Sequence, residues 1–221
     1  MVENIALRPA VREVGIGRRA LPGDLTVPGN AGVLIAFAHG SGSTRLSPRN
    51  RAVARALNAR GMATLLFDLL THEEERERAN VFDIPLLAER LVEAVHWIDR
   101  QRELADIPVG LFGASTGAAA ALVAAARLHD RIGAVVSRGG RPDLAAHALE
   151  HVRAPTLLIV GGLDDEVITL NEQAYARLQC AKTLEIVPDA THLFPEPGAL
   201  QRVIALAADW FARHLVQLRK D

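Results

Sequence analysis

Cysteine is nearly absent: one residue, Cys180, stands in a chain of 221. A lone thiol closes no internal disulfide, which excludes a stapled secreted scaffold and favours a reducing, cytoplasmic setting. An excess of charge of one sign is missing too. The 25 basic and 26 acidic residues leave a formal net charge of -1, so neither nucleic acid nor an anionic membrane is expected as a partner. No apolar run reaches the roughly 18 residues of a membrane-spanning helix. The opening M-V-E-N-I-A-L-R-P-A has an acid near its front and no apolar core of leader length. Aromatics are few, six Phe, two Trp and one Tyr, which leaves little material for a long greasy binding tunnel. What remains is a chain 49% hydrophobic, long enough to bury roughly two thirds of its surface. It has no linker, repeat or low-complexity tract, so a single soluble domain over residues 1–221 is expected.

The dominant pattern is short apolar runs alternating with helical segments. The runs are Val33–Ala38, Ala63–Phe67, Val109–Phe112, Ala134–Ser137, Thr156–Val160 and Thr183–Val187. They lack polar alternation, as strands buried on both faces do. Between them, Ile84, Leu87, Ala88, Leu91, Val95 and Ile98 mark a helix face that starts at Asp83 and Pro85. Leu200, Ile204, Ala207, Phe211 and Leu215 mark a last helix. Earlier, Val11–Gly17 and Leu25–Val27 flank Pro22-Gly23-Asp24, which reads as the turn of an antiparallel hairpin at a sheet edge. The predicted class is α/β, a mostly parallel sheet flanked by helices on both faces.

Ligand sites in such sheets collect at the carboxyl ends of the strands. Gly113-Ala114-Ser115-Thr116-Gly117 follows one strand and opens an Ala-rich helix, the setting in which a G-x-S-x-G motif presents a nucleophilic serine on a strained turn. Ser115 needs a base, and the base an orienting acid. His192 follows the run Thr183–Val187, while Asp164 follows Thr156–Val160 and a Gly-Gly turn, with Asp165 competing and Glu166 third. The order serine, acid, histidine is the one this fold requires. Acyl transfer also needs donors for a developing oxyanion. The Thr116 N–H, next after the serine, is one; His39-Gly40-Ser41-Gly42-Ser43 offers the second, through Ser41 or Gly42. Ser47 and Pro48 read as the cap and first residue of the following helix.

These segments resemble the α/β-hydrolase superfamily, specifically its compact dienelactone-hydrolase-like branch. The marks are A-H-G-S-G-S-T-R-L-S-P-R-N at 38–50, G-A-S-T-G at 113–117, G-G-L-D-D-E-V at 161–167 and A-T-H-L-F at 190–194. The resemblance implies an α/β-hydrolase fold and a Ser115–His192–Asp164 triad, because the family's D-x-x-V setting matches Asp164 with Val167 rather than Asp165. It also implies an oxyanion turn at His39 and Gly40. The founding dienelactone hydrolases carry a cysteine nucleophile; serine stands here, which implies ester hydrolysis.

Other groups carry weaker signals. Arg138 and Arg141 bracket a Gly-Gly turn at a strand end, where either holds a substrate carboxylate by paired donors or forms an ion pair with Asp143 or Asp164. His39 joins them as a candidate substrate contact. His147-Ala148-Leu149-Glu150-His151 matches an inverted zinc-peptidase motif but lacks an obvious third ligand, so no metal is expected. Thr71 to Arg78 reads as a solvated loop or helix start, with His72 close in sequence to Asp68 at a strand end. No phosphate-binding glycine motif occurs, and no organic cofactor is expected. The expected function is carboxylesterase-type hydrolysis of small soluble esters; the alternatives are a lactone or dienelactone-type hydrolase and a catalytically inactive binding protein. Residues 138–155 leave room for a crossover helix over Pro142–Glu150 but none for a lid.

Overall fold

The computed structural model describes residues 9–29 and 31–216; residues 1–8 of the opening stretch, read above for a leader, lie outside them. β1 (Val11–Ile16) and β2 (Leu21–Thr26) form a hairpin, followed by β3 (Leu34–Ala38), β4 (Ala63–Phe67), β5 (Val109–Ala114), β6 (Ile132–Arg138), β7 (Thr156–Gly161) and β8 (Lys182–Val187). They make one eight-stranded sheet in the order β1-β2-β4-β3-β5-β6-β7-β8. β1, β2 and β4 pair antiparallel, and every pairing from β4 across to β8 is parallel. The helices are α1 (Pro48–Ala59), α2 (Arg78–Val81), α3 (Ile84–Asp99), α4 (Thr116–Leu128), α5 (Asp165–Arg177) and α6 (Ala199–Phe211). Among the described residues no helix is long and apolar enough to cross a membrane.

Period-two alternation divides each strand between two cores. Leu34, Ala36 and Ala38 of β3 pack on the side of α3 and α4, whereas Ile35 and Phe37 pack with α1 and α6. α4 lies close to the sheet because Ala118 to Ala121 present only methyl groups, all fully buried. Side-chain caps set two helix starts: Ser47 Oγ accepts from the Asn50 N–H at 3.4 Å, and Asp83 Oδ1 from the Leu86 N–H at 3.0 Å.

Three local readings are corrected. Pro22-Gly23-Asp24 lies inside β2, paired with Gly15, Val14 and Glu13, and the turn is Gly17 to Ala20. Pro22 fits the end of the strand by offering only its carbonyl, which accepts from the Asp68 N–H at 3.0 Å. The β6–β7 crossover, Pro142–His151, is two short 3₁₀ turns broken at Ala146 (φ 47°) instead of an α-helix. His147 and His151 therefore lack the common face that an i, i+4 pair has on an α-helix, and Glu150 Oε1 accepts from Arg177 Nη2 at 3.0 Å. The final helix reaches Leu215 only by widening into a π-turn over Ala212–Val216.

Candidate active site

Ser115 stands between β5 and α4 at φ 50°, ψ -123°, a conformation that costs a non-glycine residue of order 1–3 kcal/mol. The turn closes only because its flanking positions carry no side chain. A Cβ at Gly113 would lie 2.4 Å from Ala118 Cα, and one at Gly117 would lie 2.3 Å from the Ala38 carbonyl oxygen. The segment after β6 clamps the serine backbone from the other side. Its N–H donates to the Arg138 carbonyl at 3.3 Å, and its carbonyl accepts from the Arg141 N–H at 3.1 Å.

Asp164 is the N-cap residue of α5, yet it makes no side-chain cap. Its Oδ2 instead accepts from His192 Nδ1 at 2.7 Å. That bond fixes the ring with Nδ1 protonated and leaves the Nε2 lone pair free. Asp165 and Glu166 are exposed on the first turn of the same helix. His192 is set against the clamp: a Cβ at Gly139 would approach its carbonyl oxygen to 2.8 Å and its Cε1 to 3.6 Å. No hydrogen bond joins Ser115 and His192; such bonds often tighten only when substrate binds. Glu196, which the sequence reading passed over, ties the His192 loop through its Oε1, accepting from the Thr191 N–H at 3.1 Å and from Thr191 Oγ1 at 2.6 Å.

The Thr116 N–H, first in α4, has no intrahelical acceptor available to it. The Ser41 N–H is engaged, donating to Thr116 Oγ1 at 2.9 Å. Gly42 follows it at φ 66°. The loop itself is latched to the end of β4: the Arg45 N–H and Nη1 both donate to Asp68 at 2.7 Å, and Arg45 Nε donates to Asp24 Oδ1 at 3.3 Å. His39 is buried with both ring nitrogens given to the backbone, Nε2 accepting from the Leu69 N–H and Nδ1 bonded to the Gly40 carbonyl, each at 3.0 Å. It shapes the turn and has no nitrogen left for a ligand. A cavity of about 240 Å³ opens beside it, lined by the 39–44 turn with Leu69, Leu70, Glu75, Val81 and Leu87.

The two arginines part company. Arg141 grips Asp143 with Nε and Nη2, both at 2.9 Å. Arg138 turns toward α1, where Nη2 donates to Asn50 Oδ1 at 3.4 Å, and among the described residues no acid pairs with it.

Residues 31–205 match a family model described as an alpha/beta hydrolase domain. The chain belongs to the α/β-hydrolase family and is a dienelactone-hydrolase-like member of it. It is 54% identical to a dienelactone hydrolase from Anabaena variabilis, with a TM-score of 0.91 over 94% of this chain and 99% of that one. A serine hydrolase without lid from Xanthomonas campestris shares the fold at 20% identity, with a TM-score of 0.73 over 96% and 97% of the two chains. A Mycobacterium tuberculosis protein named "putative phosphoribosyl transferase" is 57% identical over 95% of this chain. The chain spans about half of that relative's length, 47%.

Proposed function

We propose that the protein is a serine hydrolase cleaving small, soluble carboxylic esters. One observation carries the reading: a serine held at positive φ between β5 and α4, its N–H bonded to Arg138, with an Asp164–His192 pair bonded at 2.7 Å packed against the next residue, Gly139. Ser115 Oγ attacks the acyl carbon while His192 Nε2 takes its proton and returns it to the leaving alcohol. Asp164 holds the imidazole and stabilises its charged form. Water then cleaves the acyl-enzyme with the same groups. The oxyanion is met by the Thr116 N–H and by Gly42 or Ser41, the latter only after Thr116 Oγ1 releases its N–H.

A second reading, lactone hydrolysis by the same groups, is favoured by the identity to the Anabaena dienelactone hydrolase. Phosphoribosyl transfer, the activity in the mycobacterial name, is not proposed for this chain, which covers under half of that protein. The test is a series of p-nitrophenyl esters of rising acyl length and a series of lactones, with Ser115→Ala as control. Ester cleavage abolished by Ser115→Ala supports the first reading, and preference for lactones the second. Cleavage of neither overturns both and leaves a binding protein.

A further inference from the structure

Three positive groups meet where the end of β6 faces the start of α1, and among the described residues no acid pairs with either arginine. Arg138, 6% exposed, has Nε and Nη1 buried without any acceptor. Arg49 on the first turn of α1 likewise has a buried, unpartnered Nε. The third group is the N-terminus of α1 itself, which carries roughly half a positive charge and has no acidic residue in its first turn. Pro48 has no N–H, the Asn50 N–H goes to Ser47 Oγ, and the Arg51 N–H goes to the Ser47 carbonyl. That leaves the Arg49 N–H pointing out of the helix end.

This arrangement stands apart from the other arginines that the fold draws inward. Arg90 reaches Glu74 at 3.0 Å, Arg45 reaches Asp68 at 2.7 Å, and Arg131 reaches Asp99 at 2.7 Å. An uncompensated buried charge costs several kcal/mol, and the charge neighbouring Arg138 is a second cation. Burial, with Arg49 adding to it, pushes the Arg138 guanidinium down to about 10. A protein keeps such a group where a ligand supplies the counter-charge.

We propose that Arg138, Arg49 and the N-terminus of α1 form an oxyanion-binding site for a carboxylate or phosphate group. Asn50 Oδ1 orders the Arg138 fork, Arg138 donates through Nε and Nη1, and Arg49 adds its guanidinium and its N–H. The Arg138 carbonyl bonds the Ser115 N–H, so the residue that carries the fork also holds the backbone of the serine. If Ser115 is the nucleophile proposed above, the bound group is the charged end of an ester whose scissile carbonyl lies at Ser115.

Two measurements test this. The first is thermal unfolding with inorganic phosphate or malonate, at ionic strength balanced with sodium chloride. Wild-type Tm rises saturably with either anion, whereas Arg138→Met and Arg49→Met lose the rise. Without anion, Arg138→Met melts no lower than wild type, because it removes a charge that has no partner. Should Arg138→Met fail to fold, the less buried Arg49→Met gives the same reading. An anion response unchanged in these variants, or absent from wild type, overturns the site. The second measurement compares p-nitrophenyl acetate with the p-nitrophenyl half-ester of succinic acid. A site for the substrate's own charge makes the ratio of kcat/KM, charged over neutral, fall at least tenfold in Arg138→Met. An Arg138-dependent Tm rise with an unchanged ratio assigns the site to a free anion. If no ester is cleaved, the proposed function falls while the Tm measurement still decides the site.

Discussion

His39 has two nitrogens in two fixed roles: Nε2 accepts from the Leu69 N–H, so Nδ1 must carry the proton given to the Gly40 carbonyl. A second proton has no place. Burial lowers the His39 pKa from 6.5, with the Gly40 bond, Asp68 and Glu75 opposing it less strongly. The unfolded chain therefore binds this proton at a higher pH than the folded one, and stability rises with pH between the two values. The contribution is present above about pH 6.5 and is lost as pH falls through the folded value. His214, lowered by burial and by Arg213, acts in the same direction. Wild-type Tm is expected to drop more steeply from pH 7 to about pH 5 than that of His39→Gln, whose side chain takes up no proton; parallel profiles would contradict the neutral assignment. At the proposed triad, Ser115→Ala and His192→Ala should each lower kcat/KM by about a thousandfold or more, the double variant being little worse, because such residues act as a unit. Asp164→Asn should cost heavily and Asp165→Asn little, measured on the same ester; the reverse order would move the acid to Asp165. The positions of these candidates were legible because each stands just beyond an apolar run, at the strand ends. The partners of His39 and Thr116 were not, since a bond such as Ser41 N–H to Thr116 Oγ1 joins positions 75 apart in the chain.

Among the elements, the segment between β4 and α3 carries more structure than its charge pattern suggests. Thr71 to Arg78 reads in the sequence as a solvated loop or helix start, and a 3₁₀ turn does begin there, over Glu74–Arg76. At its start is a reciprocal cap, in which the Glu74 N–H donates to Thr71 Oγ1 at 3.2 Å and the Thr71 N–H to Glu74 Oε2 at 2.9 Å. The T-x-x-E spacing that signals such a cap was present, but the acidic run around it hid which glutamate was special. Glu74 also receives Arg90 at 3.0 Å and Arg19 at 3.3 Å, with side-chain exposures of 15% for Glu74 and 6% for Arg90. Burial alone would raise the Glu74 pKa, yet the Thr71 N–H, Arg90 and Arg19 hold it below the usual carboxylate range. Removing the acid strands a buried guanidinium, so Glu74→Ala should destabilise by about 3 kcal/mol or more in denaturant unfolding. Glu103→Ala, which breaks the exposed pair with Arg12, should cost less than about 1 kcal/mol. Equal losses would mean that Arg90 finds another partner, Glu93 being nearest at 3.6 Å. Strands and long helices were readable because their periods repeat over many residues. The 3₁₀ crossover and the Pro22 strand were not, because tertiary pairing decides them: Pro22 needs the Asp68 N–H, and the crossover is interrupted by one residue, Ala146, at positive φ.

For the whole molecule, the sheet order and the short crossover together set what substrates can reach Ser115. Residues 139–155 carry the chain from β6 back to β7 through two 3₁₀ turns, leaving no length for a cap over the strand ends. The cavity beside the 39–44 turn measures about 240 Å³, below the roughly 300–1,000 Å³ of sites that enclose a drug-sized ligand. Its apolar wall is short, Leu69, Leu70, Val81 and Leu87, and Glu75 stands among them. Each methylene placed in such a wall gains up to about 0.8 kcal/mol, but only while the wall lasts. A chain that outruns it lies in water and gains nothing further. Activity on p-nitrophenyl esters is therefore expected to peak between acetyl and butyryl and to fall beyond them. A lid that opens at a lipid surface is what gives a jump in rate when substrate forms micelles, and the β6–β7 connection is too short to move in that way. Rates plotted against substrate concentration should pass through the critical micelle concentration without a break. A preference for acyl chains of ten or more carbons, or a jump at the micelle threshold, would require a cover that the β6–β7 connection is too short to provide.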